Sequence, residues 1–438
     1  MICQYRLKPC FLYYSLFPED HVIQNKRLIQ LWIAEGFVEH VEGLTPEKVA
    51  YSYLMELIFR NMLQPRFRGP WPACKMHDLL REIALSIAKK EKFCAVHDGS
   101  ETVEETGALR LSFQTTNGEI GSCTDLDDVP LDYLPDNLTS LFNLKYLNLR
   151  GTPITELPES IGKLRNLQTL NIMSTKIMAL PRGISKLLNL RHLLVGRFIS
   201  GNYIGVRIPS SISKMKKLQF LGHIESEGNI IRLIGSMTQL TDLAIANVKE
   251  SDEEDLWASI QEMKVLSLLV LKVADGEKFL RVDALSSPPP YLDRLHLYGK
   301  LEKSGLEEYL LPHIEALPSL RYLLLDNAFV RKELCFNRGF VKLWNLRLWN
   351  LALLNKISIE EGAMPNLEFL DIDNCMTLEA LPQGIEHLTK LQGYRFDNVS
   401  EKFRESIKEG GVDHPRMLLV NERCKKYINT TWDWRFYE

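Results

Sequence analysis

Two cysteine–histidine pairs are the first residues in this chain whose types and spacing could do chemistry. Cys74-x-x-His77 and Cys94-x-x-His97 are spaced like zinc ligands and together could supply four donors. The run between them argues against a shared ion. Leu79, Leu80, Ile83, Ala84, Ile87 and Ala88 recur at helical spacing, and a helix of that length, about 15 Å, holds the pairs apart. No metal is expected. The acidic run Asp252-Glu-Glu-Asp255 offers oxygen donors but lacks the alternation and glycine of a calcium loop, and reads as a solvated turn. A phosphate cradle needs G-x-x-x-x-G-K followed by serine or threonine; the nearest pair, Gly162-Lys163, is followed by Leu164. G-x-S-x-G, H-E-x-x-H and G-x-G-x-x-G are all absent, so no catalysis is expected.

What remains is recognition chemistry, and a repeat positions it. Leu144, Leu167 and Leu190 stand 23 residues apart, as do Leu147, Leu170, Leu193 and Leu149, Ile172, Val195. The frame L-x-x-L-x-L then recurs at Leu218, Leu240, Leu266, Leu292, Leu320, Leu343, Leu367 and Leu391, with a weaker start at Leu109-Arg-Leu111-Ser-Phe113. A period near 23 with this frame is that of leucine-rich repeats, each a short strand whose leucines are buried only when repeats stack. The fold class expected is α/β: a parallel-sheet solenoid, or horseshoe, preceded by a small helical domain. The frames at Leu218-Gln-Phe-Leu-Gly-His223 and Leu391-Gln-Gly-Tyr-Arg-Phe396 are irregular. The repeats lack the strict N-x-L-x-G-x-I-P run of extracellular plant receptors and read as intracellular.

Strand alternation puts the x residues on the solvent side, and stacking lines them into columns about 4.8 Å apart. One column runs Asn148, Asn171, Leu194, Gly222, Ala244, Val270, His296, Leu324, Arg347, Asp371, Arg395. Its neighbour ends Tyr298, Asp326, Trp349, Asp373, Asp397, with Arg294, Arg321, Tyr322, Trp344 and Phe369 nearby. Tyr, Trp and Arg dominate interface hot spots. Arg294, His296, Tyr298, Arg321, Tyr322, Trp344, Arg347, Trp349, Phe369, Asp371 and Arg395 are therefore the candidate protein-binding residues. The competing reading is that they bind one another, or another domain of the same protein.

Before the repeats the pattern is helical. Thr45-Pro46-Glu47 is a helix start, continued by Val49, Ala50, Tyr53, Leu54, Leu57 and Ile58. A further helix spans about Lys26 to Glu35, stopped by Gly36. Pro65 to Pro72 reads as a loop or wing and Cys74-Lys-Met as a short strand. Three helices and a wing suggest a winged-helix domain. The expected organisation is residues 1–97 winged-helix-like, 98–130 linker or degenerate first repeat, 131–405 leucine-rich repeats and 406–438 a tail. Residues 118–135 are expected as loop, and Trp432, Trp434, Phe436 and Tyr437 as a cap or an exposed end.

Composition narrows the function classes. The 438 residues are 45% hydrophobic and 25% charged, which is globular chemistry. With 53 basic against 56 acidic side chains, the net charge of −3 argues against a nucleic-acid partner. No apolar run reaches the roughly 18–20 residues of a membrane span. Eight scattered cysteines form no disulfide framework and are expected as thiols.

Three ordered motifs carry a resemblance. Cys10-Phe-Leu-Tyr-Tyr-Ser-Leu-Phe-Pro-Glu-Asp20, Leu31-Trp-Ile-Ala-Glu-Gly-Phe37 and Met76-His-Asp78 closely resemble the winged-helix part of plant NLR immune receptors of the coiled-coil subclass. Tyr14 stands where that family usually has a second cysteine. The resemblance implies an innate immune receptor in plant defence, located in the cytoplasm or peripherally at the plasma membrane. Its repeats would recognise a pathogen effector or a guarded host protein, or contact other NLR domains. It also implies ADP/ATP binding in full-length members, with His77, flanked by Met76 and Asp78, contacting the nucleotide phosphate. No cofactor is expected in this chain, because the phosphate cradle is missing from it, and the second reading of His77 is a helix cap. Met1 lies about nine residues before the first motif, so the nucleotide-binding core is expected outside this sequence, through truncation or a misassigned start. Two other functions remain open. One is a repeat scaffold such as a ubiquitin-ligase adaptor, although no adaptor-binding helix is evident. The other is a nucleotide-hydrolysing switch, if a phosphate-loop domain lies upstream.

Overall fold

The computed structural model describes residues 5–42, 44, 46–68, 71–97, 109–113, 134, 138, 141–199, 202–274, 289–300 and 310–424. They fall into two compact units divided between His223 and Ile224.

The first unit begins with α1 (Lys8–Tyr14), β1 (Ile23–Gln24), α2 (Asn25–Ala34), α3 (Pro46–Phe59), β2 (Gln64–Arg68), β3 (Trp71–Lys75) and α4 (Asp78–Lys90). β3 pairs antiparallel with both β1 and β2, completing a winged helix whose wing is the β2–β3 hairpin. Pro65 to Pro72 is thus largely strand; residues 69 and 70 lie outside the described residues, as does the expected cap Thr45. α2 stops where expected, with Gly36 at φ +73°. Helix α1 is additional to the three expected. Cys10 to Tyr14 are all buried, so the helix has no polar face and leaves no 3.6-residue pattern to read.

The repeat sheet starts before residue 97. β4 (Ala95–His97) pairs in parallel with β5 (Arg110–Phe113), followed by β6 (Tyr146–Asn148), β7 (Thr169–Asn171) and β8 (His192–Leu194). A hairpin of β9 (Arg197–Ile199) and β10 (Asn202–Ile204) intervenes before β11 (Phe220–Glu225) pairs with β8. The frame leucines from Leu144 to Val195 are at most 1% exposed. Gly162 and Gly183, inside the short 3-10 turns, permit their stacking: a Cβ on Gly162 would lie 2.6 Å from the Gly183 carbonyl oxygen. Of the loop expected over 118–135, only Leu134 lies within the described residues.

The winged helix and the first repeats share one core. Tyr13 meets the Tyr146 ring edge-on at 5.6 Å. Arg110 donates to the buried Glu35 carboxylate from Nε at 3.0 Å and from Nη2 at 2.5 Å. Its guanidinium lies 4.9 Å from the Phe37 ring and 4.3 Å from that of Phe93. Burial pushes the Glu35 carboxyl upward while Arg110 pulls it back. Removing one partner of such a pair costs about 3–5 kcal/mol, because a charge is left buried without its counterpart.

The second unit contains α5 (Ile230–Ile234), β12 (Asp242–Val248), α6 (Glu253–Glu262), β13 (Leu268–Val273), β14 (Arg294–Tyr298), α7 (Leu310–Glu315), β15 (Tyr322–Asp326), β16 (Glu333–Phe336), β17 (Asn345–Trp349), β18 (Lys356–Ile359), β19 (Phe369–Asp373), β20 (Gly393–Asp397), α8 (Glu401–Ile407) and α9 (His414–Cys424). β12, β13, β14, β15, β17, β19 and β20 pair in parallel in that order. β16 and β18 form a separate parallel pair. The acidic run from Asp252 is not a solvated turn: Glu253, Glu254 and Asp255 form the first turn of α6, where carboxylates suit the positive end of the helix dipole. Both irregular frames are strands, β11 and β20.

The last strand is covered by α8 and α9, with Phe403, Met417, Val420 and Cys424 buried. Tyr394 donates to Asn421 Oδ1 at 2.5 Å, and Arg416 pairs with Glu386 at 2.9 Å while also donating to the Pro382 carbonyl at 2.6 Å. A solenoid needs such a cap because its terminal repeat has no neighbour to cover its core. Trp432, Trp434, Phe436 and Tyr437 lie outside the described residues.

Candidate functional site

Alternation on five consecutive strands produces the solvent face of the second unit. Leu295 and Leu297 on β14 point into the core, as do Leu323 and Leu325, Leu346 and Leu348, and Leu370 and Ile372 on the following strands. Strand pairing aligns the residues between them. His296, Leu324, Arg347, Asp371 and Arg395 are consecutive partners, and so are Tyr298, Asp326, Trp349, Asp373 and Asp397. A third row runs Arg294, Tyr322, Asn345, Phe369 and Gly393. The columns drawn from the repeat frame therefore exist. Arg321 and Trp344 sit one residue before β15 and β17, where the Trp344 amide donates to the Arg321 carbonyl at 3.0 Å. Trp344 also meets the Phe369 ring edge-on at 5.6 Å.

Within these columns Arg347, Asp371, Arg395 and Asp373 are paired with one another, whereas Asp326 accepts from Asn350. Arg395 donates to Asp371 Oδ1 at 2.8 Å and to Asp373 Oδ2 at 2.7 Å. Arg347 lies 3.8 Å from Asp371, with its guanidinium 5.5 Å from the Tyr322 ring and 5.3 Å from that of Trp349. Arg294 donates to Asp242 at 2.8 Å, and His296 lies against Tyr322 at 4.8 Å. Tyr322 is 0% and Arg347 4% exposed. These two candidates offer no surface of their own and instead hold Trp349 and Asp371 in place. Arg294, His296, Tyr298, Trp344, Trp349, Phe369, Asp371 and Arg395 are half-buried, and Arg321 is exposed. The face is thus a fixed aromatic and guanidinium cluster whose ion pairs are already formed.

One column is invisible to the leucine frame. The residue following β14, β15, β17, β19 and β20 adopts φ > 0: Gly299 (+89°), Asn327 (+52°), Asn350 (+54°), Asn374 (+52°) and Asn398 (+46°), as does Asn247 (+59°) near the end of β12. Asparagine tolerates this left-handed region better than other side chains and adds a hydrogen bond. Asn350 donates to Asp326 at 2.6 Å, Asn374 to Asn350 at 2.6 Å and Asn398 to Asp373 at 3.0 Å. The recurring Asp-Asn at 326–327, 373–374 and 397–398, with Trp-Asn at 349–350, was the available signal. Burial and the nearby Asp373 charge push Asp326 up to about 6, against the lowering effects of Asn350 and Lys272.

His77 lies in the first unit at the N-cap of α4. Its Nδ1 accepts from the Leu79 amide at 3.3 Å, and His77 and Asp78 are exposed whereas Met76 is buried. A nucleotide phosphate needs several converging donors. Here the donor set is one imidazole, already capping its own helix, and the neighbouring Lys75 pairs with Asp20. These residues alone do not fit a nucleotide. Two of the four residues with metal-like spacing, Cys74 and Cys94, are buried thiols. Burial pushes the Cys74 thiol up to about 12, and Cys94 Sγ lies 3.6 Å from Ser15 Oγ. The His97 side chain lies outside the described residues.

Winged-helix elements followed along the chain by parallel-strand leucine repeats define the class of protein. Comparison with known proteins agrees. Residues 16–84 match the disease resistance protein winged helix domain and residues 120–314 a leucine-rich repeat region. Disease resistance protein RPM1 of Arabidopsis thaliana is 39% identical across 97% of this chain and 53% of its own length. Probable disease resistance RPP8-like protein 2 of the same species is 29% identical across 95% and 53%. Among solved structures, a leucine-rich-repeat protein of Leptospira interrogans is 18% identical, covering 78% of this chain and 97% of its own, with a TM-score of 0.42. The chain belongs to the plant disease-resistance proteins and spans about half the length of the relatives it matches. Among the described residues no helix is long and apolar enough to cross a membrane.

Proposed function

We propose that this chain acts in plant defence as the recognition part of an innate immune receptor, its second-unit repeats binding a pathogen effector or a guarded host protein. The observation that carries the reading is the pre-formed cluster of Trp349, Phe369, Trp344, Asp371 and Arg395 on aligned strands. Hot spots favour Trp, Tyr and Arg, and side chains already held by Arg347, Asp371 and Asp373 lose little further freedom on binding. In this reading the chain works on the cytoplasmic side, binds no cofactor and performs no reaction. ADP or ATP would be held by a phosphate-binding domain belonging to the rest of such a receptor, with His77 as at most one contact.

The test screens the full chain by co-immunoprecipitation against pathogen effectors and the host proteins they modify. Trp349→Ala with Phe369→Ala should reduce capture of a positive partner at least tenfold while the thermal transition moves little. Arg347→Ala is a poorer probe, because its buried guanidinium also supports the fold. Capture indifferent to Trp349 and Phe369 would sink the reading. Tight ADP binding by this chain alone would favour the nucleotide-switch alternative.

A further inference from the structure

The first-unit repeats carry a charge that the whole-chain balance conceals. Between residues 141 and 223 there are 13 Lys and Arg against 2 acidic side chains, Glu156 and Glu159. Glu159 is engaged elsewhere: its carboxylate accepts from the Arg182 amide at 3.1 Å and from the Gly183 amide at 2.6 Å, tying one repeat to the next. Six of the basic residues, Lys163, Arg165, Lys186, Lys214, Lys216 and Lys217, fall on one series of turns. Each 3-10 turn ends in an exposed lysine, at Lys163, Lys186 and Lys214. Two residues later comes a second exposed position, giving Arg165, Leu188 and Lys216, and Phe142 stands 23 residues before Arg165 at the same place in the repeat. Hydrogen bonds fix these turns as a row: Asn166 donates to the Phe142 carbonyl at 3.1 Å, Asn189 to the Arg165 carbonyl at 3.0 Å, and Lys217 to Asn189 at 2.7 Å.

We infer that this row of turns is a docking surface for an anionic lipid bilayer. Two features favour a bilayer over another polyanion. Phe142 is 66% and Leu188 54% exposed, so large apolar side chains stand among the cations at one edge. Cations alone would hold any phosphate polymer, whereas apolar side chains interleaved with lysine suit an interface in which headgroups overlie acyl chains. Lysine also prevails at the turn ends, offering point charges rather than planar forks for base edges. Stacking like charges on successive repeats disfavours the fold unless an anionic surface neutralises them. Lys163, Lys186 and Lys214 have no ion pair among the described residues.

Vesicle co-sedimentation of the full chain tests this, with phosphatidylcholine vesicles against the same lipid containing about one-third phosphatidylserine. Binding is expected only to the anionic vesicles, and it should fall steeply between 0.1 and 0.5 M salt. The triple variant Lys163→Gln/Lys186→Gln/Lys214→Gln should weaken it about a hundredfold, from roughly fivefold per lysine near a charged surface. Phe142→Ser/Leu188→Ser should weaken it at least fivefold at unchanged salt dependence. Equal binding to neutral vesicles, indifference to either variant, or binding to duplex DNA as tight as to vesicles would overturn the assignment. Circular dichroism of each variant guards against misfolding. Failure here leaves the partner-binding face intact, because capture through Trp349 is read separately.

Discussion

The same repeat is built twice in this chain with opposite surface chemistry. Residues 141–223 hold 13 basic and 2 acidic side chains, whereas residues 224–424 hold 23 basic and 32 acidic. Strands β6, β7 and β8 of the first unit are three residues long, and β14, β15, β17, β19 and β20 of the second are five. The left-handed position closing the strands is Gly151, Ser174 or Gly196 in the first, and Asn327, Asn350, Asn374 or Asn398, with Gly299 after β14, in the second. Asn148 and Asn171 spend their oxygens on the amides of Arg150 and Met173, two residues on. In the second unit the equivalent column is Arg347, Asp371 and Arg395, which bond across strands. The buried leucine frame is common to both. It fixes the fold and leaves the solvent positions free to diverge, which is why one architecture can hold an aromatic recognition face and a basic edge.

The largest effect is expected where the winged helix joins the first repeats. Arg110→Ala leaves Glu35 buried without its cation and should cost about 3–5 kcal/mol. In calorimetry of the full chain, the transition of the first unit should drop while that of the second stays. A uniform shift would show that the two do not unfold independently.

Asp326 gives a smaller effect confined to the second unit. Its folded carboxyl titrates near 6, above the unfolded value of about 3.9. The folded state therefore holds the proton more tightly, and the stability linked to it, full below the unfolded value, is lost as pH rises toward 6. Asp326→Asn should remove that slope and stabilise the second unit by about 1–2 kcal/mol at pH 7, discounted for partial solvent access. Denaturant titrations at pH 4.5 and 7 check it; an unchanged slope would assign the pH dependence elsewhere.

The left-handed column separates the two runs further. Asn350→Ala loses two ladder hydrogen bonds and strains a +54° backbone, for an expected cost of about 1–2 kcal/mol. Ser174→Gly relieves strain at +58° and should stabilise the first unit by about 0.5–1 kcal/mol. Equal responses at both sites would mean that the asparagine ladder adds nothing beyond conformational tolerance. The smallest shift belongs to the basic row, where Lys186→Gln should raise stability by a few tenths of a kcal/mol at low salt and by nothing measurable at 0.5 M.

How much of this was legible follows from what each residue must satisfy. The frame leucines repeat because burial repeats, so the strands and the alignment of the residues between those leucines were readable from the sequence, whereas the burial of Leu194, Ala244, Val270 and Leu324 in the expected solvent column was not. Helix α1 was not, since a helix buried on every side has no polar stripe. The linker's β5 was marked only by Leu109-Arg-Leu111. Sequence placed Tyr322 and Arg347 on the correct face but could not say that Trp349, Asp371 and their neighbours cover them. The asparagine column escaped because its cause is a backbone dihedral rather than burial. The basic row escaped because a net charge of −3 averages two opposed halves.

Hydrogen exchange of the full chain, with and without a captured effector or host partner, tests the central claim most directly. The account predicts slowed exchange over Arg294–Tyr298, Tyr322–Asp326, Asn345–Trp349, Phe369–Asp373 and Gly393–Asp397, with the turns at Lys163, Lys186 and Lys214 unchanged. Protection confined to those turns, or to the winged helix, would contradict it.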